Sequence, residues 1–303
     1  ASLALPMHHA QATETDVIVI GAGAAGLAAA HDLKTAGRKA IVLEARSRIG
    51  GRAFTDASLG PAYDAGAMFI HWAERNPWVQ IARDLGVETP GESWGGGFRV
   101  FADGKPMTDA DRQKRRGAFG QIDRRLETVD LTRRDLSVKE LLGDLGPDMS
   151  QIASSGLLLS IGEESDRISA RDYQRLWAGD DLVVPSGYGN LVTVPVGVLK
   201  AGTIRFTPEL PARNRDALGG IGMGALTKIA LRVEGDRFGI IPGTSFLEAG
   251  SPSRLMNFDL FPDDKDLVIA YCGGDHAREL SAAGTEAARA HVTELLAQMI
   301  GPN

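Results

Sequence analysis

At 303 residues the chain is long enough for two domains with cores of their own, and its 43% hydrophobic and 24% charged residues are those of a folded globular protein, not a disordered one. A formal net charge of -6 provides no general attraction to nucleic acid or to an anionic membrane. Cys272 stands alone, so no internal disulfide forms; the six histidines lack Cys or carboxylate company at metal-ligand spacing, and no run approaches the roughly 20 apolar residues of a membrane span.

From the N-terminus, Ala1-Ser-Leu-Ala-Leu-Pro6 followed by Ala10-Gln11-Ala12 reads as the tail of an export signal, which puts a mature start at Thr13 in a periplasmic or secreted protein. The alternative is a cytoplasmic protein whose residues 1–12 form a disordered arm carrying His8 and His9. Residues 16–20 are then an apolar run suited to a buried parallel strand, and Ala24 to Ala36 an Ala-rich helix that starts at glycines. In this turn Gly21 allows the bend, Gly23 lets a phosphate approach the backbone and Gly26 lets the helix pack on the strand, with Ala24 and Ala25 at the helix N-terminus that faces the anion. Lys39 to Leu43 reads as the next strand, and Glu44 at its carboxyl end is spaced to accept both hydroxyls of a ribose. Ala45, Arg46, Gly50, Gly51 and Arg52 follow as a second loop able to close over a pyrophosphate, the arginines offering planar forks to its oxygens.

Further on, Asn76-Pro77 opens a helix that runs to about Leu85-Gly86, and a glycine-rich loop from Pro90 to Gly97 leads to a short strand pair around 98–107. Residues 108–150 read as helices with a capping box at Ser137 and Glu140. The basic residues there, Arg112, Lys114, Arg115, Arg116, Arg124, Arg125, Arg133 and Arg134, are diluted by acids and lack interleaved aromatics, as on a solvated helical face and not a nucleic-acid platform. Strand-like runs at 226–233, 244–248, 254–260 and 267–272 precede a last helix at about 285–300 with Val292, Leu295, Leu296 and Met299 on one face.

The chain resembles the flavin-dependent amine oxidase family of monoamine oxidases, polyamine oxidases and flavin histone-lysine demethylases. The resemblance is carried by Gly21-Ala-Gly23-Ala-Ala-Gly26-Leu27, Leu43-Glu44-Ala45-Arg46, Arg48-Ile-Gly50-Gly51-Arg52, Asp64-Ala-Gly66-Ala67-Met68-Phe69, Pro185-Ser-Gly187-Tyr188-Gly189, Val194 to Lys200 and Gly224 to Lys228, in the family's order. It implies an α/β flavoprotein. A Rossmann-like FAD-binding domain with a parallel sheet, from 13–75 and 186–208, joins a mixed-sheet and helical substrate domain from 76–185 and 209–303. The cofactor implied is FAD, and the reaction is hydride transfer from the amine-bearing carbon of a small-molecule amine to flavin N5. The imine formed is hydrolysed, and the flavin is reoxidised by O2, giving hydrogen peroxide, or by an electron-transfer protein. Gly66, Ala67, Met68 and Phe69 match the segment that passes beside the flavin.

Lys228 matches the family lysine that hydrogen-bonds a water near flavin N5, and its burial would favour the neutral amine. His71 follows the flavin segment and serves either as a substrate-side residue or as a packed histidine. Two departures from the family stand out. Leu191-Val192-Thr193 joins segments that strands separate in relatives, and the family's C-terminal acidic-glycine motif and aromatic pair do not follow residues 285–300. Either a second chain or a further C-terminal segment completes the FAD site, which is the expectation favoured here, or the chain is a truncated relative. A related flavin desaturase or oxidase, and a non-catalytic FAD-binding relative, remain the alternatives.

Overall fold

The computed structural model describes residues 15–84, 86–91, 96–176, 182–183 and 224–301. The expectations placed on residues 1–12, 185–189 and 191–208 lie outside them.

The N-terminal unit is a strand-helix-strand. β1 (Val17–Ile20) and β2 (Ala40–Leu43) pair in parallel with Val17 opposite Ala40, and α1 (Ala24–Thr35) makes the crossover between them. The expected strand and helix are present, but the expected burial is not: Ile18 is 57% exposed and Ile20 51%. The physical reason is layer count. Among the described residues β1 pairs only with β2, and the only buried residue of α1 is Gly26. A short hairpin of β3 (Thr55–Asp56) and β4 (Tyr63–Asp64) follows, then β5 (Phe69–Ile70), which pairs with β8 (Leu182–Val183). Asn76 caps α2 (Pro77–Asp84) as expected, its side-chain oxygen accepting the Trp78 N–H at 3.1 Å.

The second unit is a six-stranded sheet. Its strand order is β7 (Lys105–Pro106), β6 (Phe98–Ala102), β10 (Thr244–Glu248), β11 (Met256–Leu260), β12 (Leu267–Gly273) and β9 (Leu226–Arg232). Every contact is antiparallel except β6 with β10. The β6–β7 turn places Asp103 and Gly104 at positive φ, and the buried Glu248 accepts both of their N–H groups, at 3.0 and 3.2 Å. Period-two alternation then divides the sheet. Phe246, Met256, Phe258, Leu260, Val268, Ala270 and Cys272 point to one face, covered by α7 (Gly274–Ala283) and α8 (Thr285–Ile300) through Ala277, Leu280, Val292 and Met299. The apolar stripe expected on the last helix is the one that packs here, with Leu295 and Leu296 at its margin. α7 was not expected.

The residues between form a helical layer. α3 (Asp109–Thr128), α4 (Val138–Leu141), α5 (Pro147–Ser160) and α6 (Ala170–Leu176) bury Ala118, Ile122, Leu126, Val138, Leu157 and Tyr173 together. The capping box forms as expected: Ser137 Oγ accepts the Glu140 N–H at 3.1 Å, and Glu140 Oε2 accepts the Ser137 N–H at 2.8 Å. Along the basic stretch Lys114, Arg116, Arg124, Arg133 and Arg134 are exposed, and Arg115 is buried with its guanidinium over the Phe119 ring.

Candidate active site

The glycine turn after β1 is shaped by contacts that exclude side chains. Gly21 sits at φ +97, and its N–H donates to Leu43 O at 2.7 Å, tying the turn to β2. A Cβ on Gly26 would lie 1.9 Å from Gly21 O, so only glycine lets α1 approach this closely. Gly23 caps α1 with no side-chain hydrogen bond, and no acidic residue stands in the first turn. The helix therefore presents its first N–H groups, at Ala24, Ala25 and Gly26, to an anion.

Glu44 lies where the spacing put it. Its Oε2 accepts the Ala22 N–H at 2.9 Å and its Oε1 the Arg46 N–H at 3.0 Å. These bonds, from Arg46 first and then Ala22, hold the carboxyl below the ordinary range, so it is an anion at neutral pH. Each oxygen keeps a lone pair for a ribose hydroxyl. The second loop closes on the first, with the Gly50 N–H donating to Ala22 O at 3.2 Å while Gly50 and Gly51 take φ +103 and +54. Arg48 braces the loop through Gly51 O at 3.1 Å and stacks over Phe54. The backbones of Ala45, Arg46 and Arg52 are thereby set around the turn, with all three residues exposed to whatever binds there.

From this loop the chain passes to the next predicted segment. Gly66 lies on Arg52: a Cβ there would be 1.8 Å from Arg52 O, which accepts the Ala67 N–H at 3.0 Å. Lys228, in the middle of β9, reaches this same segment. Its Nζ donates to Gly66 O at 2.9 Å, Asp64 O at 3.2 Å and Met68 Sδ at 3.1 Å. Burial pushes the Lys228 ammonium below its ordinary pKa, with Asp64 and Asp259 pulling it partly back. Segments 160 residues apart in sequence are thus brought into one place, and the direct contact of Lys228 with Gly66 and Met68 is one that the sequence did not foretell.

His71 is not among the partners of Lys228. It is exposed, its ring 5.6 Å from that of Phe69, and its carbonyl accepts the Asn76 side chain at 2.8 Å. The adjacent Trp72 takes φ +58, unusual for a bulky residue, and stacks under the Arg75 guanidinium. Among the described residues no group of His, Cys, Asp or Glu is arranged for a metal ion, and no helix is long and apolar enough to cross a membrane.

Reasoning on the sequence missed a polar cluster on the Lys228 face of the sheet. Asp259 Oδ1 receives Asn257 Nδ2 at 2.8 Å and Ser245 Oγ at 3.2 Å; Ser245 and Asn257 are buried. Burial raises the Asp259 carboxyl to about 6. The signal was present in Met256-Asn257-Phe258-Asp259-Leu260, where polar residues alternate with apolar ones inside a strand whose apolar half is core.

Residues 24–144 and 175–303 match the family model described as flavin containing amine oxidoreductase. Among curated proteins, the chain is 29% identical to "Probable polyamine oxidase 4" of Arabidopsis thaliana, covering 73% of this chain and 58% of that protein. It is 27% identical to mouse "Lysine-specific histone demethylase 1B", covering 78% of this chain and 38% of that one. The chain therefore spans only 38% to 58% of the length of these relatives. Two solved structures share the fold. A double mutant of putrescine oxidase superposes with a TM-score of 0.72 at 18% identity, over 95% of this chain and 82% of that one. Cyclohexylamine oxidase from Brevibacterium oxydans gives 0.71 at 19% identity, over 96% and 82%.

Proposed function

Because the chain belongs to the flavin-containing amine oxidoreductase family, we propose that it binds FAD across the glycine turn and the Gly50–Arg52 loop and oxidises a small-molecule amine. The observation that carries this reading is the meeting of Lys228 with the Asp64–Met68 segment, which joins the nucleotide unit to the polar face of the sheet. When bound, FAD supplies the two-electron acceptor that takes hydride from the carbon bearing the amine.

The chain's own residues bind, orient and tune. The α1 N-terminus and Arg46 and Arg52 would meet the pyrophosphate, and the ionised Glu44 would accept the ribose hydroxyls. Gly66 and Ala67, small and held on the Arg52 carbonyl, let a planar ring approach the backbone. Lys228 fixes that segment and, with the flavin bound, would hold a water beside it. Of its three acceptors Met68 sulfur is the weakest, so the donor it occupies is the one a water captures. His71, exposed just after the flavin segment, would serve on the substrate side.

Anaerobic titration of the flavin-loaded protein with a panel of amines tests the reading, with flavin absorbance bleached by at least one amine as the expected result. A protein that takes up no flavin, or whose flavin no amine reduces, overturns it. Peroxide formed per amine consumed then assigns O2 or an electron-transfer protein as acceptor. Export is proposed as well, and sequencing the N-terminus of protein from its native host decides it.

A further inference from the structure

Helix α5 has two faces. Ala153 and Leu157 enter the apolar core of the helical layer, whereas Ser150, Gln151, Ser154 and Ser155 turn to an open cleft of about 590 Å3 between α5 and α7. That is the volume of a small-molecule site. The cleft shares no lining residue with the glycine turn, the Gly50–Arg52 loop or the Lys228 contacts. Across from α5, α7 contributes His276, whose side chain is 3% exposed and whose two ring nitrogens both lack a hydrogen-bond partner among the described residues. Glu279 Oε2 stands 3.9 Å from Nδ1, beyond hydrogen-bond reach, and is held by Arg254 at 2.7 Å; His291 meets the ring edge-on with centroids 5.6 Å apart. Leaving a buried polar group without a partner is costly, so such a group points to something that binds it.

Behind the α5 wall lies a second group of this kind. Arg115 of α3 is 6% exposed and makes no ion pair among the described residues. Its guanidinium has the Phe119 ring at 5.2 Å and, at a long 3.5 Å, the Oγ of Ser155, which also lines the cleft and has given its own proton to Ile152 O at 2.7 Å. The acids around the cleft are matched in place. Asp275 lies between Arg167 at 3.0 Å and Arg278 at 2.7 Å, Asp166 faces Lys139 at 3.9 Å, and Glu164 accepts the Asp275 N–H at 3.2 Å. What is left over is basic, one imidazole and one guanidinium. Burial lowers the pKa of both, and for His276 the charges of Arg254 and His291 add to it while Glu279 opposes it. We propose that the cleft between α5 and α7 binds a small organic anion, its carboxylate or phosphate group accepting a hydrogen bond from His276 and facing the Arg115 charge behind Ser155. An ionised acid group offers only acceptors, which is what these two donors lack. The site is separate from that of FAD, so the proposal stands independently of the amine-oxidising reading.

The probes are succinate, inorganic phosphate and succinamide, which keeps the size of succinate without its charge, all at constant ionic strength. Calorimetry is done on the full chain with FAD saturating, so that the glycine turn is filled. One site per chain is expected for succinate or phosphate, with Kd of about 1 mM or below and at least about 10-fold tighter than for succinamide. The tighter of the two anions names the acid group. His276→Phe and Arg115→Met each replace an unmatched polar side chain by an apolar one, so melting temperature is expected to hold. Anion affinity falls roughly 10- to 100-fold in each, the loss expected when a hydrogen bond to a charged group is removed, and Arg115→Lys restores part of it. The two residues lie on different helices, so a variant that fails to fold leaves the other to decide. Neither anion binding to the parent protein, or succinamide binding as well as succinate, overturns the proposal without any variant. So does anion binding that the folded variants retain in full, because it places the anion elsewhere on the molecule.

Discussion

β1, Val-Ile-Val-Ile, and β12, which opens Leu-Val-Ile-Ala, are both largely apolar strands, yet they live in opposite environments. In β12 all but one of the residues are buried, between β11 and β9 and under two helices, whereas β1 alternates half-buried and exposed positions beside a single described neighbour. The apolar face of the six-stranded sheet is filled by large side chains: Phe258, Met256 and Leu260 are all inaccessible. The strand-helix-strand unit has glycine and alanine where the sheet has Phe and Leu. One region is built to pack on itself, the other to let something come close. Stability resides mainly in the first, and recognition in the second.

Substitutions that add a side chain at a close-approach glycine of the nucleotide unit and the segment after it give the largest expected effect. Gly26→Val drives a side chain into the Gly21 carbonyl, and Gly66→Ala drives one into Arg52 O. Protein purified with either change is expected to hold essentially no flavin by absorbance while the sheet unit still melts cooperatively. Full flavin occupancy would remove the basis for the cofactor assignment.

Deleting bulk from the first region should cost stability. Phe258→Ala is expected to lower unfolding free energy by roughly 3–5 kcal/mol in denaturant melts. Ile18→Thr, on the exposed strand, should fall within about 0.5 kcal/mol. Similar losses at the two sites would erase the contrast drawn above.

Lys228 belongs to both regions, and its loss should appear in rate, not in folding. Lys228→Met is expected to slow flavin reduction or reoxidation roughly 10- to 1000-fold, with amine affinity changing far less. Stopped-flow rates within twofold of the parent in both half-reactions would make it a strand lysine that only pins residues 64–68.

The smallest effect concerns pH. Glu163 is mostly buried against Arg278 at 2.6 Å and Arg167 at 2.7 Å. Burial by itself would raise its pKa, but the Arg278 and Arg167 bonds outweigh it and hold the carboxyl below 4.5. A depressed carboxylate contributes stability that is complete above its unfolded pKa and is lost as pH falls through the folded one. Melting temperature followed downward from neutral pH should therefore drop below about 4.5, and Glu163→Gln should shrink that drop; an unaltered acid limb would assign the loss elsewhere.

The legible part of the molecule was the part written locally. The glycine turn, Glu44, the Ser137 box and the stripe on α8 follow from spacings within a few residues or one crossover. α7 escaped notice because Gly273-Gly274-Asp275 reads as a turn, and in fact Gly274, at φ +66, is the first residue of the helix. The length of α3 was blurred into its neighbours for want of a glycine or proline at its end. What lay beyond local reading was register. The pairing of β6 with β10 joins residues 147 apart, and the Asp259 cluster exists only because Ser245 falls opposite it on the neighbouring strand. Lys228 was found through family order, but the carbonyls it grips were not.

That grip has a consequence in time. Gly66 O and Lys228 Nζ are separated by 162 residues of chain, so their contact closes a long loop and is expected to form late, after the nearer pairing of β9 with β12. Refolding monitored by flavin fluorescence should then lag behind the recovery of sheet signal, and the lag marks when the molecule first becomes able to hold its cofactor in a finished site.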